Sequence, residues 1–348
     1  MQGFKDFDPA KDIRDLSGKV ILVTGGTAGL GEESVRALAA HSPLHIYFTG
    51  RNVTAANALI ADIKAKHPTT SLSFIKIDLS SLRAVKEAIA RDFKHDRLDI
   101  LMNNAGIIAN PAVLSTDGYE IQFATNHLGH AMLTRELMPI LLKTAKEPGA
   151  DVRVVSNTSA GYEFHRAIKG GISFDELDAG STMSRMMLGA WIRYGQSKLA
   201  NILFAAELVR RHPELTSVAI HPGLVKTPMN TEMAGWNINH VFEETEKASF
   251  FEKNVVKPLQ IEIRTISGFA HVYGNGIDRL FASSWTAGPC EPELFVVDHH
   301  EVKRVRRRQA AETGFGLVVQ LFVREEQSVS SILLGRWQDG YAQAIRAY

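Results

Sequence analysis

Short β-branched runs alternate with longer amphipathic stretches through most of the chain, and this alternation limits the fold more than any other feature. The predicted strands are 19–23, 45–49, 72–77, 100–102, 153–156 and 217–220, and the predicted helices are 32–40, 55–66, 82–93, 118–145 and 190–211. Strands that alternate with helices form βαβ units, whose right-handed crossovers build a parallel sheet. The sequence therefore predicts an α/β fold, a doubly wound parallel sheet of the Rossmann type.

The domain organisation follows from the absence of any break in this pattern before about residue 285, because the sequence has no internal repeat and no low-complexity linker. We predict an N-terminal extension at 1–18, one main domain at 19–285 and an atypical segment at 286–348. That segment has a basic cluster at 303–308 and an apolar run at 317–323 without strand–helix alternation, so its structure stays open. For the cluster, a solvated helix face is favoured over a nuclear or nucleic-acid patch.

Composition excludes several function classes. Lys plus Arg number 39 against 38 Asp plus Glu, a formal net charge of +1 that favours neither nucleic acid nor an anionic membrane. The single cysteine, Cys290, excludes an intramolecular disulfide and a cysteine-built metal site and suits a reducing compartment, so we expect a cytoplasmic protein without a metal. No apolar run reaches the roughly 18 residues of a membrane span, and no signal peptide is visible.

A glycine-rich turn, Thr24–Gly31, directly follows the first strand and directly precedes a helix. Glycine permits a tight turn and lets backbone N–H groups and the helix N-terminus approach a pyrophosphate. Loops before helices are often glycine-rich for capping alone, but a strand before and a helix after favour a dinucleotide site. The cofactor-binding residues predicted in this turn are Gly25, Thr27, Gly29, Leu30 and Gly31.

The end of the second strand indicates which dinucleotide binds. An NAD site usually has a carboxylate there for the ribose 2′-hydroxyl, whereas Phe48–Asn52 contains none and offers Arg51, whose planar guanidinium suits a 2′-phosphate. NADP(H) is therefore favoured over NAD, although Arg51 could be an ordinary surface residue. Asp78, after the third strand, could accept from the adenine amino group or serve as the N-cap of the next helix.

Tyr194 and Lys198 lie four residues apart on a predicted helix and hence on one face. A phenol has a pKa of about 10, so acid–base work near neutrality needs a shift of roughly three units, or about 4 kcal/mol. An ammonium about 4 Å away could supply that amount at an effective dielectric constant near 20. The spacing alone is weak evidence, and the surrounding motifs decide its meaning.

The chain resembles the short-chain dehydrogenase/reductase family of the classical type, on motifs that follow the family's order from about Lys19 to Met229. The motifs are Thr24–Gly31, Asn103–Gly106, Asn126, Ser159, the Tyr194/Lys198 pair and His221–Thr227. Within the family the chain is similar to the retinol dehydrogenase-like and protochlorophyllide reductase-like branch. That similarity is carried by Thr116–Glu120, Asn126–His130, Ile172–Leu177 and Ser197–Asn201.

The resemblance implies four catalytic residues, Asn126, Ser159, Tyr194 and Lys198. Ser159 would hydrogen-bond the substrate oxygen, with Ser156 and Thr158 as near competitors. Lys198 would also hold the nicotinamide ribose, and Asn126 would hold a water in the proton path. A satisfied polar residue at a helix bend would look the same as Asn126 in sequence.

The resemblance implies further cofactor contacts. Asn104 would lie against the adenosine ribose, while Asn103 would brace the sheet, and either could simply form a turn. The backbone N–H of Val225 and the hydroxyl of Thr227 would reach the nicotinamide carboxamide and phosphate, and His221 is taken as structural.

Together these roles imply an NADP(H)-dependent oxidoreductase that moves a hydride between nicotinamide and a carbonyl or alcohol carbon, with Tyr194 handling the proton. The family's substrate lid would span about 228–270, where apolar residues suggest an apolar substrate or, equally, core or oligomer packing. The family usually ends in a short seventh strand and a dimer contact. No match to that end is found from about Ser283, so a homodimer is only a candidate assembly. The alternatives are a non-catalytic dinucleotide-binding sensor or scaffold, and a redox-neutral epimerase or dehydratase.

Overall fold

The computed structural model of the protein describes residues 8–168, 171–174, 177, 189–222, 294–298 and 301–304. The strands are β1 Val20–Val23, β2 His45–Gly50, β3 Leu72–Lys76, β4 Ile100–Asn103, β5 Arg153–Asn157, β6 Thr216–Ile220, β7 Leu294–Asp298 and β8 Glu301–Arg304. The α-helices are α1 Pro9–Asp12, α2 Gly29–Ala39, α3 Val53–Lys66, α4 Leu82–Asp92, α5 Ile121–Phe123, α6 Gly129–Ala145 and α7 Gly189–Arg211. A π-helical turn, Ala124–Leu128, joins α5 to α6, and a 3₁₀ helix spans Ala160–Ala167.

The strands form one sheet in the order β3-β2-β1-β4-β5-β6-β7-β8, in which β1 to β6 are parallel. β1 pairs with β2 on one side and with β4 on the other, so the strand order reverses beside β1. The doubly wound parallel sheet is therefore confirmed. In such sheets ligands bind in the crevice at the carboxyl ends of the strands where the order reverses.

The sheet is buried on both faces, as its β-branched strands predict. All four residues of β1 are 0% exposed, and they alternate between two apolar clusters. Val20 and Leu22 join the cluster that contains α4, α6 and α7, and Ile21 and Val23 join the one that contains α2 and α3. These packed faces fix the strand ends that carry the polar residues described below.

The long helix predicted at 118–145 begins later and is interrupted. Gly118 has a φ of +84°, and a β-bridge joins Leu114 to Glu120, so the first three predicted residues lie outside the helix. The Glu120 carboxylate accepts the Phe123 backbone N–H at 2.7 Å and caps α5. Asn126 lies in this π-helical turn, so the helix is irregular at the residue for which the sequence left a helix bend open as an alternative.

Strands β7 and β8 extend the sheet into the segment 286–348, whose structure the sequence left open. Both are antiparallel to their neighbours, with Ala219 opposite Phe295 and Val297 opposite Val302. Lys303 and Arg304 lie in β8, so the helix-face interpretation of the basic cluster is wrong for these two residues. The remainder of the cluster, the run 317–323 and the predicted lid at 228–270 lie outside the described residues.

Two features are absent from the described residues. None of their helices is long and apolar enough to span a bilayer. None of their His, Cys, Asp and Glu side chains gather in a group of three that could hold a metal ion.

Candidate active site

The glycine turn after β1 packs closely against the chain that follows β4. Gly25 has a φ of +67°, and a Cβ at this residue would lie 3.0 Å from the Ala105 Cα. A Cβ at Gly31 would lie 2.2 Å from the Gly25 carbonyl oxygen and 2.6 Å from the Asn104 Nδ2. Backbone atoms cannot move aside as the end of a flexible side chain can. Both Gly25 and Gly31 must therefore be glycine.

The N-terminus of α2 differs from those of the next two helices. Asn52 caps α3 by accepting the Ala55 N–H, and Ser81 caps α4 by accepting the Ala84 N–H. The N-cap of α2 is Ala28, which offers no side-chain acceptor. The first N–H groups of α2 therefore remain available to an anion, which the helix dipole also favours.

A cleft of about 400 Å³ opens at this helix end. The predicted cofactor residues that line it are Gly25, Thr27, Gly29, Leu30, Gly31, Arg51, Asp78 and Asn104. Its walls also include Gly106, Ile107, Asn110, Ile121 and Thr125, which the sequence analysis did not single out as cofactor contacts. Eight predicted cofactor residues thus line one space. Tyr194 and Lys198, also predicted to contact the cofactor, are not among its lining residues, and Val225 and Thr227 lie outside the described residues.

Arg51 and Asp78 lie at the rim of the cleft, and both are exposed. Within the described part of the chain, no carboxylate forms an ion pair with Arg51. Asp78 Oδ1 accepts from the Ser80 backbone N–H at 2.9 Å and from its hydroxyl at 2.7 Å. The N-cap of α4 is Ser81, so the alternative that made Asp78 that cap is wrong.

Asn104 ties three strand ends together. Its Nδ2 donates to the Thr24 carbonyl at 2.8 Å, and its Oδ1 accepts from the Asn157 Nδ2 at 2.8 Å. Asn103 Nδ2 donates to the Thr134 hydroxyl at 3.2 Å, which links β4 to α6. Both ends of the Asn104 amide are engaged within the protein, so this residue shapes the cleft wall.

Ser159, Tyr194 and Lys198 converge beside the cleft. The Tyr194 hydroxyl is hydrogen-bonded to Ser159, whose Oγ also accepts the Gly161 N–H at 3.1 Å. Lys198 Nζ lies 5.6 Å from the centroid of the Tyr194 ring and donates to the Asn157 carbonyl at 3.1 Å. Tyr194 and Lys198 are each 4% exposed, so any charge they carry is poorly screened by water.

The electrostatics of this pair differ from the expectation. Burial raises the pKa of the Tyr194 phenol to about 12, and the hydrogen bond from Ser159 only partly offsets this. Burial also lowers the pKa of the Lys198 ammonium to about 8. The shift of the phenol pKa toward neutrality that the sequence analysis expected is therefore not present, because burial disfavours the charged phenolate. At neutral pH Tyr194 carries its proton, which is the form that can donate.

Asn126 is fully buried in the π-helical turn and fully hydrogen-bonded. Its Oδ1 accepts the Ile107 N–H at 2.8 Å, and its Nδ2 donates to the Ile107 carbonyl at 2.9 Å and to Ser197 Oγ at 3.0 Å. A Cβ at Gly106 would lie 3.2 Å from Asn126 Oδ1 and 3.4 Å from Lys198 Nζ. Gly106 lines the cleft, so the cleft reaches the catalytic candidates at this point.

The geometry distinguishes Ser159 from its two competitors. Thr158 Oγ1 donates to the Lys198 carbonyl at 2.8 Å and therefore serves the helix backbone. Ser156 is 2% exposed within β5. Of the three, only Ser159 is hydrogen-bonded to Tyr194.

His130 links the glycine turn to the π-helical turn, and the sequence analysis gave it no role of its own. Its Nδ1 lies 3.0 Å from the Asn126 carbonyl and its Nε2 lies 2.8 Å from Thr24 Oγ1. Burial lowers the pKa of His130 to about 3, so the ring is neutral. Because a carbonyl can only accept, Nδ1 must carry the hydrogen and Nε2 must accept from the Thr24 hydroxyl. The sequence does carry a signal that could have identified His130, because a histidine four residues after Asn126 lies on the same helix face.

Three buried histidines near the site predict acid-sensitive folding. Burial lowers the pKa of His127 and His221 to about 4 and that of His130 to about 3, against an ordinary value of 6.5. The unfolded chain therefore takes up protons first, and the free energy of unfolding falls as the pH drops from about 6.5 toward 4. Each histidine contributes up to about 1.4 kcal/mol per pH unit. Urea unfolding at a series of pH values measures this slope, and equal stability at pH 7 and pH 5 would contradict it.

Comparisons with known proteins show what the chain is similar to. The family model described as short chain dehydrogenase matches residues 19–168. A short chain dehydrogenase/reductase of Colletotrichum higginsianum, dpchH, is 41% identical over 65% of this chain and 59% of its own length. A short-chain dehydrogenase/reductase of Aspergillus calidoustus, drtF, is 39% identical over 64% of this chain and 72% of its own length. The chain thus spans less than two thirds of the first relative.

Among solved structures, one of an uncharacterized protein from Mycobacterium paratuberculosis is 31% identical. The two share a TM-score of 0.49 over 62% of this chain and 71% of that chain.

Proposed function

Because the chain belongs to the short-chain dehydrogenase/reductase family, we propose that it is an NADP(H)-dependent oxidoreductase acting on the carbonyl or alcohol group of a small apolar molecule. One observation carries the proposal. A buried phenol is hydrogen-bonded to Ser159 and flanked by Lys198, whose Nζ lies close to Gly106 in the wall of a cleft that ends on an uncapped helix N-terminus. An anion-binding helix end and a proton donor at the same cleft are what a nicotinamide-dependent reduction needs.

The cofactor would be held along the cleft. The N–H groups at the start of α2 and the glycine turn would bind the pyrophosphate, and Arg51 would pair with a 2′-phosphate. Asp78 would face the adenine, and its Oδ1 is already shared with Ser80. Lys198 would hold the nicotinamide ribose. Val225 and Thr227 are proposed contacts of the carboxamide and phosphate on the resemblance alone.

When bound, the cofactor supplies or accepts the hydride. Tyr194 donates the proton to the substrate oxygen during reduction, and Ser159 donates a hydrogen bond that stabilises the charge developing there. Lys198, as an ammonium, favours the phenolate left after transfer. Asn126 fixes the backbone of Ile107 beside Lys198 and would hold a water in the path that returns the proton.

The activity test mixes the protein with NADPH and a panel of ketones and aldehydes while nicotinamide absorbance is followed. Oxidation of NADPH that depends on substrate supports the proposal. Tight NADPH binding without turnover would indicate a sensor instead, and product formed without net cofactor loss would indicate an epimerase or dehydratase.

Replacing Arg51 tests the choice of cofactor. Arg51→Gln is expected to lower kcat/KM for NADPH by roughly 10- to 100-fold, because a charge-assisted hydrogen bond contributes about 1.5–3 kcal/mol. The kcat/KM for NADH should stay within about twofold of the wild-type value. Arg83→Gln, an exposed arginine on α4, is the control and should change neither value. Equal losses with both cofactors would refute the role of Arg51.

A cytoplasmic location and a homodimeric assembly are also proposals. The first rests on the single cysteine of the sequence, and the second rests on the resemblance.

A further inference from the structure

The chain next to one wall of the cleft has a backbone conformation that is unfavourable for its residue. Ala109 has a φ of +52°, in the left-handed region that residues with a Cβ rarely adopt. The next residue, Asn110, lines the cleft, and its Nδ2 donates to the Ile108 carbonyl at 3.2 Å. Such strain persists only where surrounding contacts enforce it, so something must hold this segment in place.

A buried guanidinium provides that contact. Arg193 Nη2 donates to the Asn110 carbonyl at 2.9 Å, 83 residues away in sequence. Arg193 Nε donates to Glu120 Oε1 at 3.0 Å, so the same planar group joins the strained segment to a carboxylate. A guanidinium can do this because its donors point in fixed, different directions.

The Arg193–Glu120 pair is costly to bury. The two side chains are only 6% and 4% exposed, and burial raises the pKa of Glu120 although Arg193 and backbone N–H groups lower it. Buried ion pairs often add little to stability compared with apolar residues of the same size. The pair is therefore better explained by its role in holding the joined segments in a fixed geometry than by a gain in stability.

Arg193 directly precedes Tyr194 on α7. The residue that holds Asn110 is therefore fixed to the helix segment that carries the proton donor. We propose that Arg193 is a positioning residue that locks the strained Ala109–Asn110 wall of the cofactor cleft to the catalytic helix, with Glu120 as its counter-charge. The effect of this Arg193 contact on cofactor binding rests on the function proposed above.

The first test measures amide hydrogen exchange in the protein without added cofactor. Arg193→Lys keeps a charge beside Glu120 but lacks the planar donors, so exchange across residues 106–113 should become about tenfold faster. Ala109→Gly removes the penalty of the positive φ. Combined with Arg193→Lys, it should return exchange at least halfway to the wild-type rate.

Arg210→Lys is the matched control, because Arg210 lies on the same helix and is an exposed arginine that also pairs with a glutamate, Glu207. Its exchange across residues 106–113 should equal that of the wild type. Two results would overturn the proposal: exchange there that Arg193→Lys leaves unchanged, or exchange that rises equally in the core strands, as general destabilisation would produce.

The second test measures the Kd for NADPH by quenching of protein fluorescence. Arg193→Lys should raise this Kd about tenfold, Arg210→Lys should leave it unchanged, and the double variant Ala109→Gly/Arg193→Lys should recover part of the loss. A wild-type protein that does not bind NADPH would contradict the proposed function, and the exchange experiment would still decide the role of Arg193. Unchanged NADPH affinity in Arg193→Lys would contradict the positioning role.

Discussion

Replacing Tyr194 by Phe is expected to lower kcat/KM for carbonyl reduction by about 10³-fold, within the range for loss of a general acid. The hydroxyl is the only group removed, and it is the group hydrogen-bonded to Ser159. Because the ring remains, its packing against Gly161, whose added Cβ would lie 2.9 Å from Tyr194 Cε1, is kept. NADPH affinity and thermal stability should therefore change little.

Tyr47→Phe is the matched control. Tyr47 is also buried, and its hydroxyl is hydrogen-bonded to His95 Nδ1 at 2.7 Å and to the Lys94 N–H at 3.1 Å, away from the cleft-lining residues. This variant should lose about 1 kcal/mol of stability and none of its activity. Steady-state kinetics and thermal melts on both variants separate the two effects. Activity of Tyr194→Phe within threefold of wild type would rule out its role as proton donor.

The second large effect is expected at the glycine turn. A Cβ in Gly31→Ala would lie 2.2 Å from the Gly25 carbonyl oxygen and 2.6 Å from Asn104 Nδ2, and neither group is a flexible side-chain end. Asn104 is itself held by Thr24 and Asn157, so the turn must open to accept the methyl group. The N–H groups that would bind the pyrophosphate then lose their alignment.

We expect Gly31→Ala to raise the Kd for NADPH about 100-fold, which corresponds to about 3 kcal/mol, the upper part of the usual overpacking range. Isothermal titration calorimetry measures the Kd, and circular dichroism checks that the fold persists. Glu33→Ala, on the same helix but not among the residues that line the cleft, is the control and should bind NADPH as the wild type does. Wild-type affinity in Gly31→Ala would place the pyrophosphate elsewhere.

Much of the fold could be predicted because strands buried on both faces leave continuous β-branched runs in the sequence. The limits of β1 to β6 agree with the predicted strands to within one residue. The start of the helix before Asn126 was missed because Gly118 takes a positive φ in a turn, which the periodicity of its neighbours conceals. Strands β7 and β8 were missed because an antiparallel hairpin needs no crossover helix, and strand–helix alternation was the signal used.

The cofactor side of the site was accessible from the sequence because its residues lie at strand ends with local signatures. The residues that hold the site in shape could not be identified from the sequence. Arg193 and Glu120 are 73 residues apart, and buried charges look the same in sequence as surface charges. The pKa of Tyr194 was misjudged for a related reason, because spacing indicates that Lys198 is near but does not indicate how completely water is excluded from the phenol.

The most direct test of the proposed hydride transfer uses NADPH that carries deuterium at both C4 positions, together with the ketone and aldehyde panel, and analyses the product by mass spectrometry. The expected product is an alcohol with one deuterium on the carbon that was the carbonyl, formed in equal amount to the NADP⁺ produced. A product that contains no deuterium, or that forms while NADPH remains intact, would contradict it.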